Sequence, residues 1–210
     1  MALISETRFS RACIVHPYWG KKFCYLKPTM KTYPKISLVT QVFNREHYIA
    51  ETIESVLSQG YPNLEYIVID DGSTDKSWEI IQQYKKDLAH CEQFPGMRKT
   101  PVPAINRGFS HATGEVMGWL NTKNTLLPKS LFSIGDAFGS FPEIEWLTGL
   151  ASMLDDYGRV VKVVSLRKNK YDFLIGNWRA IQQESTFWRR SLWERTGGEL
   201  SENYPWSFDT

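Results

Sequence analysis

Little cysteine, no long apolar run and almost no net charge mark this sequence, and each shortage excludes a class of protein. Three cysteines in 210 residues, with no Cys-x-x-Cys spacing, argue against a disulfide framework or a zinc site. No run of about 18 apolar residues exists, so we expect no segment that spans a membrane. Basic and acidic residues number 25 and 23, and the net charge of +2 favours neither a nucleic-acid partner nor strong binding to an anionic membrane.

The cysteines also bear on the cellular compartment. Cys13 and Cys24 could form a pair, but an odd count without a motif favours unpaired thiols in a reducing environment. Polar residues such as Glu6 and Arg8 interrupt the first residues of the chain, so a secretory signal is not expected. We therefore expect a cytoplasmic protein.

Length and composition are those of one globular domain with an extension. Hydrophobic residues make up 42% of the chain, enough for a core without covalent help. Residues 1–34 are predicted to be an irregular leader, because prolines and lysines interleave there with aromatic residues. That pattern suits a peripheral contact with the inner face of a membrane or with a partner, or simply a loosely packed leader, which we favour. Residues 35–210 are predicted to form the domain.

Strands and helices are predicted to alternate after the leader. Apolar, β-branched runs at 36–40, 64–69 and 115–120 predict strands. Between the first two, Asn44 is expected to cap a helix that ends at Gly60. The second run is apolar enough to be buried on both faces, which is typical of a parallel strand. The pattern predicts a doubly wound α/β fold with parallel strands and right-handed crossovers.

The remaining predicted elements are shorter. Residues 85–103, with three prolines, are predicted to form a loop. Ser191 and Glu194 predict a capping box for a last helix, which Gly197 and Gly198 end. The other predicted elements are, in chain order, a helix at 104–112, a helix after Pro128, and strands at 144–149, 159–165 and 185–188.

Three polar clusters follow predicted strands: Thr40-Gln41, Asp70–Ser73 and Asn121–Asn124. Ligands of open α/β sheets bind beyond the carboxyl ends of parallel strands, so we expect the clusters to line one crevice. Adjacent carboxylates there can accept hydrogen bonds from a base or a ribose, and a neighbouring glycine lets a ligand approach the backbone. The plainer alternative makes Ser73 and Asp75 helix N-terminal residues and the aspartates a turn, which leaves the repulsion between the aspartates unexplained.

Three segments resemble one enzyme family. They read ISLVTQVFNREHYIAETIESVLSQGYPNLEYIVIDDGSTD at 36–75, AINRGFSHATGEVMGWLNTKN at 104–124 and QESTFWRRSLWERTGG at 183–198. In this order and at this spacing they are similar to family 2 glycosyltransferases. The resemblance implies a GT-A fold, which is a Rossmann-like single α/β domain with a mostly parallel central sheet flanked by helices. Such a domain binds a nucleotide-diphosphate sugar, with a UDP-sugar expected first. It also implies transfer of the sugar, with inversion, to a hydroxyl of a glycan or lipid-linked acceptor, as in polysaccharide biosynthesis.

The resemblance further implies roles for individual residues. The implied nucleotide-sugar contacts are Thr40, Asp70, Asp71, Ser73, Asn106, Arg107, Asn121 and Lys123. The implied acceptor-side residues are Gln183, Glu184 and Ser185. Asp209 matches the acidic residue that serves as general base, which would take the proton of the attacking hydroxyl. The alternatives are an exposed helix face for Asn106 and Arg107 and a solvated carboxylate for Asp209.

The segment Asn121–Asn124 departs from the family pattern. Members usually carry acidic residues here, one of which holds Mg²⁺ or Mn²⁺ on the diphosphate, whereas this chain has Lys123 at that position. Such cations prefer carboxylate oxygens and a lysine repels them, so we predict no metal ligand there. Either the Lys123 ammonium neutralises the diphosphate itself, or the domain no longer catalyses. Glu92, Asp136 or Asp155 could supply a substitute ligand, although no pattern places them at the site.

The sequence stops one residue after Asp209, where family members usually continue with a helix, so we expect a C-terminally truncated product. Three hypotheses follow. The first is a glycosyltransferase, and the second is a pseudo-enzyme that binds a nucleotide sugar or scaffolds a partner. The third is a phospho-acceptor regulatory domain, suggested by the paired aspartates, although the position that would accept phosphate reads Asn121.

Overall fold

The computed structural model describes residues 9–15, 22–28, 32–94, 100–155, 157–164, 171 and 182–203, the first two ranges as backbone alone. The chain divides into two compact units, residues 1–33 and 34–210. None of the helices in the described ranges is long and apolar enough to cross a bilayer.

The first unit contains an antiparallel pair of strands, β1 (Phe9–Val15) and β2 (Lys22–Pro28). The sequence predicted an irregular leader here, and the strands correct that expectation. Aromatic and β-branched residues favour strands, and the prolines that suggested irregularity fall at or beyond the strand ends. The register makes Cys13 and Cys24 Cα partners.

The second unit is an α/β domain. Its elements are β3 (Ile36–Val42), α1 (Ile49–Leu57), β4 (Leu64–Asp70), α2 (Ser77–Gln83), β5 (His90–Gln93), α3 (Val102–His111), β6 (Val116–Trp119), α4 (Ser130–Ser140), β7 (Trp146–Thr148), β8 (Ala151–Leu154), β9 (Val160–Val164), a 3₁₀ helix (Gln183–Ser185), β10 (Thr186–Arg189) and α5 (Arg190–Arg195). Six strands form one sheet in the order β5-β4-β3-β6-β10-β7, and β8 with β9 forms a separate hairpin. Strands β3 to β6 pair in parallel, and β10 is antiparallel to both of its neighbours. The predicted α/β fold with a mostly parallel central sheet is confirmed.

Helix α3 packs against β3 and β4. Val39, Ile67, Ile69, Ile105 and Phe109 form part of one buried cluster between the helix and the sheet. Gly108 allows this close approach, because a Cβ there would lie 2.4 Å from Cγ1 of Val39. Strand β4 is buried on both faces, as its continuous apolar run predicted.

Two strands and two caps differ from the sequence predictions. The predicted loop at 85–103 contains β5, a short strand at the edge of the sheet whose polar residues give no apolar signal. Strand β8 was also not predicted.

Asn44 does not cap α1, which begins at Ile49. Asn44 instead has φ of 51°, and its side chain accepts a hydrogen bond from Thr74, in a loop distant in sequence. No capping box forms at Ser191, because β10 runs directly into α5 at Arg190.

Glu65 joins three segments at the amino ends of the strands. Its Oε1 accepts hydrogen bonds from Lys35 Nζ at 2.5 Å and Thr113 Oγ1 at 2.6 Å. Its Oε2 accepts from Ser37 Oγ at 2.5 Å and from the Thr113 backbone N–H at 2.6 Å. Burial works against the ionised form, but these donors outweigh it and lower the pKa of Glu65 from 4.5 to about 2.

We expect Glu65 to make stability depend on pH in the acid range. Because its pKa is lower in the folded than in the unfolded chain, the stabilisation is complete above about pH 4.5 and is lost as pH falls towards 2. Glu65→Gln should lower the free energy of unfolding at pH 7 by about 2 kcal/mol. This figure is smaller than the full pKa shift would give, because Lys35 is half-exposed and solvent screens its attraction to Glu65. The difference from the wild type should shrink as urea denaturation is repeated at lower pH.

The control is Glu143→Gln, which changes an exposed carboxylate. It should leave both the stability at pH 7 and the pH dependence unchanged. A Glu65→Gln variant with the acid sensitivity of the wild type would contradict the assignment.

Candidate functional site

The carboxyl ends of three parallel strands lie side by side at one edge of the sheet. Val42 at the end of β3 is the register partner of Asp70 at the end of β4, and Val39 is the partner of Trp119 in β6. The residues that follow β4 and β6 donate hydrogen bonds to carbonyls of β3. The backbone N–H of Asp71 donates to the Val42 carbonyl at 2.7 Å, and Thr122 Oγ1 donates to the Gln41 carbonyl at 2.7 Å. The structure thus brings the three predicted polar clusters together.

Asp70 and Asp71 are both buried at this edge, at 0% and 4% exposure. Oδ1 of Asp70 accepts from the Ser73 backbone N–H at 2.8 Å and from Gln93 Nε2 at 3.2 Å. Oδ2 of Asp70 is buried and has no hydrogen-bond partner among the described residues. One oxygen of Asp70 therefore closes the turn, as the plainer alternative held, and the other is left to a group outside the chain or to water.

Ser73 and Asp75 fasten this turn to the loop after β3. The Asn44 backbone N–H donates to Ser73 Oγ at 3.0 Å, and the Thr74 N–H donates to Asn44 Oδ1 at 2.8 Å. Asp75 accepts from the backbone N–H groups of Ser77 and Glu46. Although burial opposes it, hydrogen bonding from Ser77 and these N–H groups lowers the pKa of Asp75. Ser73 and Asp75 thus have structural roles that the sequence assigned only in part.

Thr40 lies beneath the crevice. It is fully buried, and its Oγ1 is 3.0 Å from the hydroxyl of Tyr66. Burial of that hydroxyl raises the pKa of Tyr66. In this structure the Thr40 side chain supports the sheet and does not reach the surface where a nucleotide would bind.

Asn106 and Arg107 of α3 also have partners within the chain. The amide of Asn106 donates to the carbonyl of Leu200 at 2.9 Å and accepts from its N–H at 2.9 Å. The guanidinium of Arg107 binds both oxygens of Glu92, at 2.9 and 3.1 Å, and lowers the pKa of that carboxyl. Asn106 therefore holds the segment after α5, and Arg107 lies on the exposed side of α3, as the alternative to nucleotide contact held.

The acceptor-side segment lies directly against Asn121–Asn124. Asn121 Nδ2 donates to Gln183 Oε1 at 2.8 Å, and Asn124 Nδ2 donates to Glu184 Oε1 at 3.0 Å. Gln183 Nε2 donates in turn to the carbonyl of Trp119 at 2.6 Å. Two groups that the sequence treated as separate therefore form one continuous surface.

Lys123 is exposed in this surface with φ of 90°, a conformation uncommon for any residue with a side chain. Its Nζ lies 5.0 Å from the centroid of the Tyr48 ring, within the range of a cation–π interaction. The sequence did not predict a role for Tyr48. It lies just before α1, far from Lys123 in the chain, and only the fold brings the two together. A positive charge is thus held at the edge of the crevice.

An open cavity of about 590 Å³ begins beside Lys123. Its polar lining includes Asn124, Gln182, Glu184 and Ser185. Its apolar lining includes Leu126, Leu150, Met153 and Leu154. Ser185 is thus at the cavity, where the resemblance implied an acceptor, whereas the contribution of β8 was not predicted. The volume is typical of a site for a small organic ligand.

The segment at 121–124 does not fit the divalent metal that the family pattern implies. Its own side chains are two amides, a hydroxyl and an ammonium, and the carboxylate of Glu184 already binds Asn124. Within the described ranges, the group of three metal-ligating side chains that does cluster lies elsewhere, at His90, Glu92 and His111. Asp209, the implied general base, lies outside the described residues.

The fold matches solved glycosyltransferase structures. The UDP complex of TarS residues 1–349 from S. aureus superposes with a TM-score of 0.64 at 22% identity, over 83% of this chain and 52% of that one. A mannosyltransferase from Pyrobaculum calidifontis, in complex with GDP-Man and Mn²⁺, superposes with a TM-score of 0.58 at 20% identity, over 81% and 48%. The domain has the GT-A fold.

The sequence comparison agrees with the fold. Residues 37–137 match the sequence model described as Glycosyl transferase family 2. This region, just under half of the chain, carries the sequence pattern of that family. The third hypothesis, a phospho-acceptor domain, has no support in these matches.

Curated relatives match half of the chain or less. An uncharacterized glycosyltransferase of Nostoc sp. is 35% identical over 111 residues, which are 50% of this chain and 33% of that protein. One from Haemophilus influenzae is 41% identical over 90 residues, 42% of this chain and 36% of that protein. TuaG of Bacillus subtilis, named for teichuronic acid biosynthesis, is 33% identical over 94 residues, 42% and 36%. The chain spans about a third of the length of these relatives.

Proposed function

We propose that this protein transfers a sugar from a nucleotide-diphosphate sugar, a UDP-sugar first, to a hydroxyl of a glycan or lipid-linked acceptor, with inversion. The observation that carries the proposal is the junction of the strand-end crevice with the cavity beside Lys123. A transferase of this kind must hold a nucleotide and an acceptor next to each other, and the two surfaces meet at Asn121–Asn124. TarS binds UDP and UDP-GlcNAc on the same fold, which supports the donor class.

In this proposal the turn at Asp70–Ser73 and the residues above it receive the nucleoside. Asp71, which follows the buried end of β4, accepts hydrogen bonds from the base or the ribose. Oδ2 of Asp70 is buried and has no hydrogen-bond partner among the described residues. It is a hydrogen-bond acceptor at the base of the same pocket. Because a buried polar atom without a partner is costly, a bound nucleoside or its water would also relieve a local penalty.

Lys123 takes the place of the metal in this proposal. When the acceptor oxygen attacks the anomeric carbon, the bond to the diphosphate breaks and the leaving group keeps the electron pair. An ammonium that is already positioned can stabilise that charge without reorganisation. The rare backbone conformation of Lys123 and its contact with Tyr48 support a positioned role, since strain of this kind concentrates at functional sites.

The cavity beside Lys123 would receive the sugar and the acceptor. Its mixture of amide, carboxylate and hydroxyl groups with aliphatic side chains suits a carbohydrate, which presents hydroxyls along its edge and C–H groups on its faces. Asp209 is proposed to take the proton of the attacking hydroxyl. A cytoplasmic location, with a peripheral membrane contact through residues 1–34, stays a prediction from the sequence.

The second candidate function is a pseudo-enzyme that binds the nucleotide sugar or scaffolds a partner without transferring the sugar. One observation favours it, namely that the family's metal-binding carboxylate is replaced by Lys123. The two candidates share the binding step and differ in turnover.

Nucleotide binding should not depend on a divalent metal. In a thermal-shift panel of nucleotides and nucleotide sugars, we expect UDP or another nucleoside diphosphate to raise the melting temperature equally with EDTA and with Mn²⁺. Lys123→Ala should weaken that binding about tenfold, because it removes one charge-assisted contact. Lys123→Asp should make the shift depend on Mn²⁺, because it restores a carboxylate.

The matched control is Lys86→Ala, which removes an exposed lysine from another part of the domain. It should bind like the wild type. A wild-type shift that requires Mn²⁺ would show that Lys123 does not replace the ion.

Asp209→Ala should abolish transfer and leave nucleotide binding intact. We expect this because a general base acts on the acceptor and not on the donor. The measurement is release of nucleoside diphosphate with acceptor present, together with the melting-temperature shift. Full activity on an acceptor would remove Asp209 from the mechanism. Clear nucleotide binding with no turnover in the wild type would favour the pseudo-enzyme.

A further inference from the structure

A group of metal-ligating side chains lies on the side of the sheet that α3 covers, apart from the cavity. His90 and Glu92 are two residues apart on β5 and therefore share one face of the strand. Their register partners are Ile67 and Ile69, which pack against α3. His111 lies in the last turn of α3, so the topology brings it to the same place.

The distances within the group are those of a metal site. His90 Nε2 lies 3.1 Å from Glu92 Oε2, and His111 Nε2 lies 3.3 Å from the same oxygen. All three candidate ligand atoms lie within 4.8 Å of one another. A tetrahedral zinc ion with bonds of about 2.0–2.1 Å separates its ligand atoms by about 3.3–3.4 Å. Two of the three separations therefore already match.

The protein alone does not satisfy the group. The Nε2 atom of His111 is buried and makes no hydrogen bond of good geometry among the described residues, although it faces the Glu92 carboxylate. The two imidazole rings are stacked, with centroids 3.9 Å apart and an interplanar angle of 22°. Two imidazoles directed at one oxygen leave His111 Nε2 without a hydrogen bond, and a cation bound at both Nε2 atoms would use the lone pair of each.

Arg107 completes the surroundings and orients the carboxylate. Its Nε binds Glu92 Oε1 at 2.9 Å, and its NH2 group binds Oε2 at 3.1 Å. Oε2 therefore has one contact with Arg107 and a second, at 3.1 Å, with His90 Nε2. A hydrogen bond from outside the ligand set is typical of carboxylates that bind metals. The positive charge of Arg107 weakens the attraction for a cation and does not block the position.

We propose that His90, Glu92 and His111 bind one zinc ion, with water as the fourth ligand. Two imidazoles and a carboxylate are a ligand set that zinc accepts. Because an imidazole nitrogen binds a metal in the plane of its ring, the stacked rings turn apart when the ion enters. The ion fastens the last turn of α3 to the edge strand. Gln93, the residue after Glu92, donates a hydrogen bond to Asp70, so the proposed zinc site also adjoins the crevice at the strand ends.

The test is a titration of the EDTA-treated full chain with Zn²⁺, followed by calorimetry, and with Co²⁺, followed by visible absorption. We expect one equivalent of zinc to bind and cobalt to give the absorption of a tetrahedral complex. Glu92→Gln and His90→Asn should each weaken zinc binding at least tenfold and remove the cobalt signal. His111→Phe should also weaken zinc binding at least tenfold and remove the cobalt signal. Because phenylalanine keeps an aromatic ring stacked on His90, this variant is expected to fold.

The matched control is His47→Asn, since the His47 side chain is 83% exposed and lies in the turn before α1. It should bind zinc like the wild type, and so should a variant with Cys13 and Cys24 both changed to Ser. Absence of zinc binding in the wild type overturns the proposal. So does wild-type affinity in the His90, Glu92 and His111 variants, or loss of binding in the cysteine variant alone.

Discussion

The parallel pairing of β3 with a neighbour on each side is the constraint on which the rest of the structure depends. Its partner β4 pairs with it as far as Val42, at the carboxyl end of β3, and its partner β6 pairs with it as far as Val39. Carbonyls of Val39, Gln41 and Val42 accept hydrogen bonds from the residues that follow those strands. Without that pairing, Asp71 and Lys123, which are 52 positions apart in the sequence, would have no reason to share a surface.

Much of the polar sequence around the crevice binds the protein to itself. Ser73 joins two loops, Asn106 holds Leu200 and Arg107 holds Glu92. Such internal bonds fix the positions of the strand-end loops before any ligand arrives, which reduces the ordering cost of binding. Lys123 and the wall of the cavity are exposed at this edge. The fold thus separates a rigid frame from a small surface that can recognise a ligand.

The fold could be predicted from the sequence because its central strands carry a strong local signal. The run Leu64–Asp70 has an apolar centre at residues 66–69, and buried residues of α1 recur at helical spacing. Strand β5 could not be found in this way, since an edge strand needs little apolar surface and His90–Gln93 has none of the usual residues. The cap expected of Asn44 failed for a related reason, because its partner Thr74 is 30 residues away.

The sequence predicted that the strand-end polar clusters lie together, and the structure brings them to one edge of the sheet. The contacts were less predictable, because the burial of Thr40 and the pairing of Asn121 with Gln183 depend on tertiary contacts that no local pattern contains. The His90, Glu92 and His111 group was missed because its spacing has meaning only once β5 is known to be a strand beside α3.

The central claim, that three strand ends form one nucleotide-binding crevice, is tested most directly by hydrogen–deuterium exchange with and without UDP. The account predicts that peptides covering 41–46, 70–76 and 120–125 become protected together, while the hairpin of β8 and β9 changes little. Protection of one of these peptides alone, or protection confined to another part of the chain, would contradict it.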